Sequence, residues 1–83
     1  SHTIAATVSS KFLDFSAYRG NDLRPVGVKH GCRWCLCVSR WKEVYDAYKA
    51  GNVCADAVPG VGLNATHKKA LEKVSYEQLE EFA

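Results

Sequence analysis

Apolar residues alternate with small or hydroxyl residues at the start of the chain, and then the period changes. Over residues 3 to 8, Ile4, Ala6 and Val8 fall on one side, the period-2 pattern of a half-buried strand. Beyond it Phe12, Leu13, Phe15 and Tyr18 recur at helical spacing. Ser9 or Ser10 can cap the free amides of the first turn, and Gly20 supplies a left-handed stop. Gly20-Asn21-Asp22 then forms a turn, and Pro25, Gly27 and Gly31 keep the following stretch irregular.

The run Cys32-Arg33-Trp34-Cys35-Leu36-Cys37-Val38 is apolar on both sides of a two-residue repeat. Cys32, Trp34, Leu36 and Val38 share one face, and Arg33, Cys35 and Cys37 share the other. This predicts a central strand over 32–38. Ser39 can cap a helix on which Trp41, Val44, Tyr45 and Tyr48 make one core-facing stripe, closed by Lys49 and Gly51. Residues 52–62 are rich in Gly, Pro and small side chains and predict a loop, with 61–65 adding a short strand. His67, Ala70, Leu71 and Val74 form an apolar-leaning helical face. Ser75 followed by Gln78 is a capping-box pattern for a last helix that docks through Tyr76, Leu79 and Phe82. The expected fold is a single α+β domain over 1–83: a small sheet with a central strand, packed by three or four short amphipathic helices.

Composition narrows the function classes. The chain has 83 residues, 47% hydrophobic and 24% charged, with no apolar run long enough for a membrane-spanning helix. Its 11 basic and 9 acidic side chains are spread along the whole length, so no direct nucleic-acid role is expected. The absence of Met fits an amino end left by presequence cleavage as well as a Ser exposed by Met removal. Three of the four cysteines crowd together at 32, 35 and 37, unlike the even spacing of a disulfide framework. Free thiols and a reducing compartment follow.

Cys32 and Cys35 formally make a C-x-x-C, the half-site of a zinc ligand set or a redox pair. A strand sends these two side chains to opposite faces, and a redox cysteine needs a helix amino end, whereas the helix is expected only after Ser39. The thiols are therefore expected to be buried packing groups, with neither metal nor cofactor. His67, at the start of a predicted helix, is best placed as a neutral, backbone-bonded ring; His2 and His30 have weaker claims. Asn21 and Asp22 can bind a ligand or simply close their turn. No phosphate-binding glycine loop, nucleophile elbow or zinc-protease motif is present.

The blocks Ser1-His2-Thr3, Phe12-Leu13, Gly20-Asn21-Asp22-Leu23, Arg33-Trp34-Cys35-Leu36-Cys37, Arg40-Trp41-Lys42-Glu43 and Ala65-Thr66-His67 with Ala70-Leu71 occur in that order. Together they resemble a family of small proteins, domain of unknown function 2237. The resemblance implies a compact α+β domain, known mainly in bacteria and some eukaryotes, with no established reaction. It also implies an upstream Gly- and Cys-rich segment, which is expected to be absent here. Ala5 stands where the family pattern has Cys, Gly31-Cys32 stands where it has Gly-Asp, and the stretch from Tyr45 to Pro59 is expanded. A reduced cysteine set favours a domain reused for contacts.

The leading expectation is therefore a non-catalytic accessory or structural subunit whose partners are other protein subunits of a larger complex. An organellar assembly, mitochondrial respiratory or ribosomal, is the expected setting, with the cytoplasm as the other compartment. The alternative is a small thiol- or zinc-dependent enzyme using Cys35, Cys37 and His67 around a pocket beside Asn21 and Asp22.

Overall fold

The structure is a computed structural model that describes residues 3–66 and 68–83. Strand β1 (Thr3–Thr7) leads into helix α1 (Ser10–Tyr18). A 3-10 turn over Arg24–Val26 precedes strand β2 (Arg33–Cys37), which passes directly into helix α2 (Val38–Lys49). A further 3-10 turn over Ala55–Ala57 leads to the two-residue strand β3 (Gly60–Val61). Two 3-10 segments, Leu63–Ala65 and Lys68–Glu72, come before the last helix, α3 (Tyr76–Glu80). The sheet is antiparallel with order β2-β1-β3. The α+β expectation holds.

The place of the cysteine-bearing strand is corrected. β1 is central, and β2 lies at an edge with β1 as its neighbour. A run apolar on both faces predicts a strand buried on both faces, but only one side of this sheet is fully covered. Ile4, Ala6 and Leu36 are buried on the helix side, while Thr7, Arg33, Cys35 and Cys37 on the opposite face are exposed. Strand position depends on which segments pair, and that is fixed by chain closure far from the strand itself.

Helix α1 is capped as its sequence implies: Ser9 Oγ accepts the Phe12 amide at 3.1 Å, and Gly20 takes φ 88° just beyond the last turn. Phe12 and Leu13 enter the core, but Tyr18 is 85% exposed. The α2 stripe is as expected, with Trp41, Val44 and Tyr45 buried and Tyr48 packed against them. Trp41 is fully enclosed; its indole N–H donates to the Pro59 carbonyl at 3.2 Å, and its ring stacks on Tyr45. Phe82 meets Trp41, Tyr45 and Tyr48 edge-on, so the last residues close over α2. The capping box of α3 forms with both bonds, Gln78 N–H to Ser75 Oγ and Ser75 N–H to Gln78 Oε1.

Two other elements depart from expectation. The helix expected around Ala70 is a 3-10 segment in which Ala70 is buried while Leu71, one step round, faces outward; Val74, buried as well, lies beyond its end. The short strand expected over 61–65 is confined to Gly60–Val61, because the chain tightens into the 3-10 turn at Leu63. His2 and His67 lie outside the described residues.

Candidate functional site

The direct passage from β2 into α2 sets the chemistry of Cys37. Val38 is buried and already belongs to the helix, so helical geometry begins before Ser39 and Cys37 is the cap residue. This overturns the expectation that the helix starts too late to touch a thiol. Ser39, expected as the cap, instead places its hydroxyl 3.1 Å from Cys37 Sγ. That hydroxyl donates to the thiolate form and holds the thiol below its usual range. The Ser39 backbone N–H acts in the same direction; burial opposes both, and the Arg40 backbone N–H and charge add smaller contributions toward the thiolate. These amides face the sulfur without closing a regular capping hydrogen bond. A thiol at the positive end of a helix, beside donors and a cation, is more nucleophilic at neutral pH than an isolated one.

The expectation of buried structural thiols fails for the same reason that β2 is not central. All four cysteines are free; Cys35, Cys37 and Cys54 are exposed, and Cys32 is half-buried. Cys32 Sγ accepts the Lys29 amide at 3.4 Å, which ties it to the turn before β2. Cys35 and Cys37 share the outer face of β2. Two strand steps separate their Cα atoms by about 6.5–7 Å, at or beyond the edge of the usual bridging range.

An open groove of about 730 Å³ runs beside this surface, lined among others by Ala5, Thr7, Arg33, Cys35, Gly62 and Asn64. Small residues of β1 and of the loop after β3 meet within its lining. A Cβ on Gly62 would stand 3.6 Å from that of Ala5, so the loop crosses close to β1. The Ala5 amide donates to Thr66 Oγ1 at 3.3 Å, and the Ala5 carbonyl accepts the Gly62 amide at 2.8 Å. The volume falls in the range of small-molecule sites. Cys37 lies outside this lining, one strand repeat beyond Cys35.

The remaining candidates lie elsewhere. Asp22 Oδ1 accepts the Arg24 amide at 3.0 Å, and the Asn21 carbonyl accepts the Ser16 hydroxyl at 2.6 Å, so this pair shapes the turn after α1. Neither residue lines the groove beside Cys35. His30 Nδ1 accepts the Ser10 amide at 3.0 Å, at the start of α1. Among the described residues no three His, Cys, Asp or Glu side chains converge as a metal cradle. No helix of the described residues is long and apolar enough to cross a membrane.

Sequence reasoning named Cys35 and Cys37 but missed Ser39 and Arg40 as the groups that tune a thiol. The order Cys37-Val38-Ser39-Arg40 carried that signal, since a cap residue's side chain meets the amides two and three positions on. Against this geometry, a family model described as an uncharacterized protein conserved in bacteria, domain of unknown function 2237, matches residues 1–83. The chain belongs to this family. No curated protein matches it. Membership in domain of unknown function 2237 spans every block of the resemblance, including the Arg33–Cys37 strand and the Arg40–Glu43 turn of α2. Ala5 is the register partner of Cys35 across β1 and β2.

Proposed function

We propose that the protein works through its exposed thiols, with Cys37 as the reactive group and the groove beside Cys35 as the place where a small disulfide or thiol compound lies. The supporting observation is an exposed sulfur at the cap of a twelve-residue helix, held toward its thiolate by the Ser39 hydroxyl. Attack of that thiolate on a disulfide breaks the S–S bond. One half stays on Cys37 as a mixed disulfide, and the other leaves as a thiolate. Cys35 is poorly placed to resolve the product, because an unbent strand keeps the two Cα atoms too far apart. A second, external thiol completes the exchange by releasing the bound half, so the chemistry is that of a single-thiol exchanger or carrier.

Alkylation by iodoacetamide as a function of pH tests this. One thiol should react with an apparent pKa below the ordinary value of about 8.5. That phase should vanish in Cys37→Ser and move to higher pH in Ser39→Ala. A fast phase that survives in Cys37→Ser, or four thiols titrating together as ordinary ones, ends the proposal.

A second reading, an accessory subunit bound to other proteins, is favoured by one surface. Phe15, Tyr18 and Val53 line two adjoining depressions between α1 and the loop after α2, and Tyr18 is 85% exposed. Aromatic side chains on such surfaces are common interface anchors. A photo-crosslinker at position 18 should then give one defined protein adduct in cells, and the absence of an adduct sinks this reading.

A further inference from the structure

The open edge of β2 has a hydrogen-bonding phase that the register fixes. Ala5 turns its N–H to Thr66 Oγ1 and its carbonyl to the Gly62 amide, both on the β3 side. Facing β2, Ala5 and Cys35 are therefore a non-hydrogen-bonded pair. The amide and carbonyl of Cys35, and those of Arg33 two residues earlier, point away from β1 to the free edge. The strand has no Pro, no Lys and an unbroken five-residue register with no bulge, and its one charged side chain is Arg33 at its start.

We propose that this edge pairs with the same edge of a second copy of this chain. The two β2 strands would run antiparallel about a two-fold axis at Cys35, joining two three-stranded sheets into one of six. In that register Cys35 faces the partner's Cys35, and the two exchange both hydrogen bonds. Arg33 faces the partner's Cys37, and Trp34 faces the partner's Leu36. A two-fold interface makes each unlike pair twice.

Charge and exposure select a second copy over other extended segments. Among the described residues Arg33 has no ion-pair partner, and it shares the outer face with Cys37. Self-pairing sets its guanidinium across from a sulfur that Ser39 already holds toward the anionic form. On the helix side, Trp34 pairs with Ala6 of β1 and is still 37% exposed at the rim of the sheet, so a second sheet alongside would cover its open flank. A five-residue pairing is small beside the roughly 1,200–2,000 Å² of stable interfaces, so the dimer is expected to dissociate in the micromolar range or above. None of this depends on thiol exchange at Cys37.

Sedimentation of the full chain from about 1 µM to about 1 mM reads the equilibrium. The wild type should pass from monomer to dimer, and amide exchange at Cys35 should slow as the dimer fills. Cys35→Pro removes the N–H that faces the open edge and leaves the β1 ladder untouched, as edge positions allow. It should remain monomeric throughout. Arg33→Glu, which does not burden the backbone, should weaken the dimer at least tenfold while keeping the wild-type circular dichroism. A wild type that stays monomeric at about 1 mM overturns the proposal. So does a dimer that both variants leave intact, or Cys35 exchange that does not respond to concentration. A protein that remains monomeric alone but gains Cys35 protection with an added extended peptide assigns the edge to another partner and also refutes self-pairing.

Discussion

Two tryptophans seven positions apart, Trp34 and Trp41, stand in similar Arg-Trp blocks and meet opposite surroundings. Trp41 on α2 is wholly enclosed, with Tyr45 stacked on it, the Pro59 carbonyl just before β3 on its indole N–H, and Phe82 of the tail against its edge. Trp34 sits on an edge strand with a neighbour on one side, and more than a third of it reaches solvent. The difference separates the half of the molecule that is sealed from the half that is available for contact. Trp41→Ala should therefore cost about 3–5 kcal/mol, the range for large buried aromatics. In a domain whose whole stability is on the order of 5–15 kcal/mol, that removes much or all of the folded population. Trp34→Ala should cost about 1 kcal/mol or less at dilute, monomeric concentration. Urea unfolding of the two variants measures both, and equal losses would erase the distinction.

Features set by near neighbours in the chain were legible. The Trp41, Val44, Tyr45 and Tyr48 stripe, the Ser9 cap and the Ser75–Gln78 box each need only a few consecutive residues, and all are found. What depends on distant pairing was not. Cys, Leu and Val suit burial on either face, so the 32–38 run could not reveal that only one face would be covered. Val38 looked like the last strand residue because alternation continues through it; its burial in the first helical turn comes from packing. That one-residue shift turned Cys37 from a packing sulfur into a cap residue. Tyr18 fitted the α1 stripe in spacing alone, because among the described residues nothing covers more than a small part of it.

The two faces of the sheet can be contrasted with one added thiol. Ala5 on the open face is directly opposite Cys35 in a non-hydrogen-bonded pair, where Cα atoms stand about 4.5 Å apart, at the short end of the disulfide range. Ala5→Cys should form this bridge under mild oxidation. A pair of free thiols then disappears, and stability should rise by up to about 3 kcal/mol through the constrained unfolded chain. Ala6→Cys, buried on the helix side opposite Trp34, should remain reduced under the same conditions and lose stability by crowding the core. Thiol counting before and after oxidation gives the comparison. Bridging by both variants, or by neither, would show that the faces are not distinguished as the register implies.

The smallest expected effect lies where the sealed region reaches solvent. Tyr45 is buried as a ring, but its hydroxyl emerges to donate to Glu81 Oε1 at 2.9 Å, and Lys49 Nζ meets Glu81 Oε2 at 3.1 Å. The Tyr45 hydroxyl, and then Lys49, hold the Glu81 carboxyl below the usual carboxylate range. A depressed folded pKa gives stability that is present above the unfolded value of about 4.3 and lost as the pH falls through the lower folded value. Lys49 is raised, chiefly by its hydrogen bond to Glu81, so its share is present at neutral pH and lost only as the pH rises through its folded value. Glu81→Gln should therefore lower the melting temperature slightly at pH 7, with the gap to wild type closing toward pH 3. Tyr45→Phe keeps the ring and removes the hydroxyl, and should cost about 1 kcal/mol at pH 7, with part of the cost recovered in acid. A gap that stays constant from pH 7 to pH 3 would mean that this cluster contributes through packing and not through the carboxylate, and the emerging hydroxyl would then belong with the sealed core.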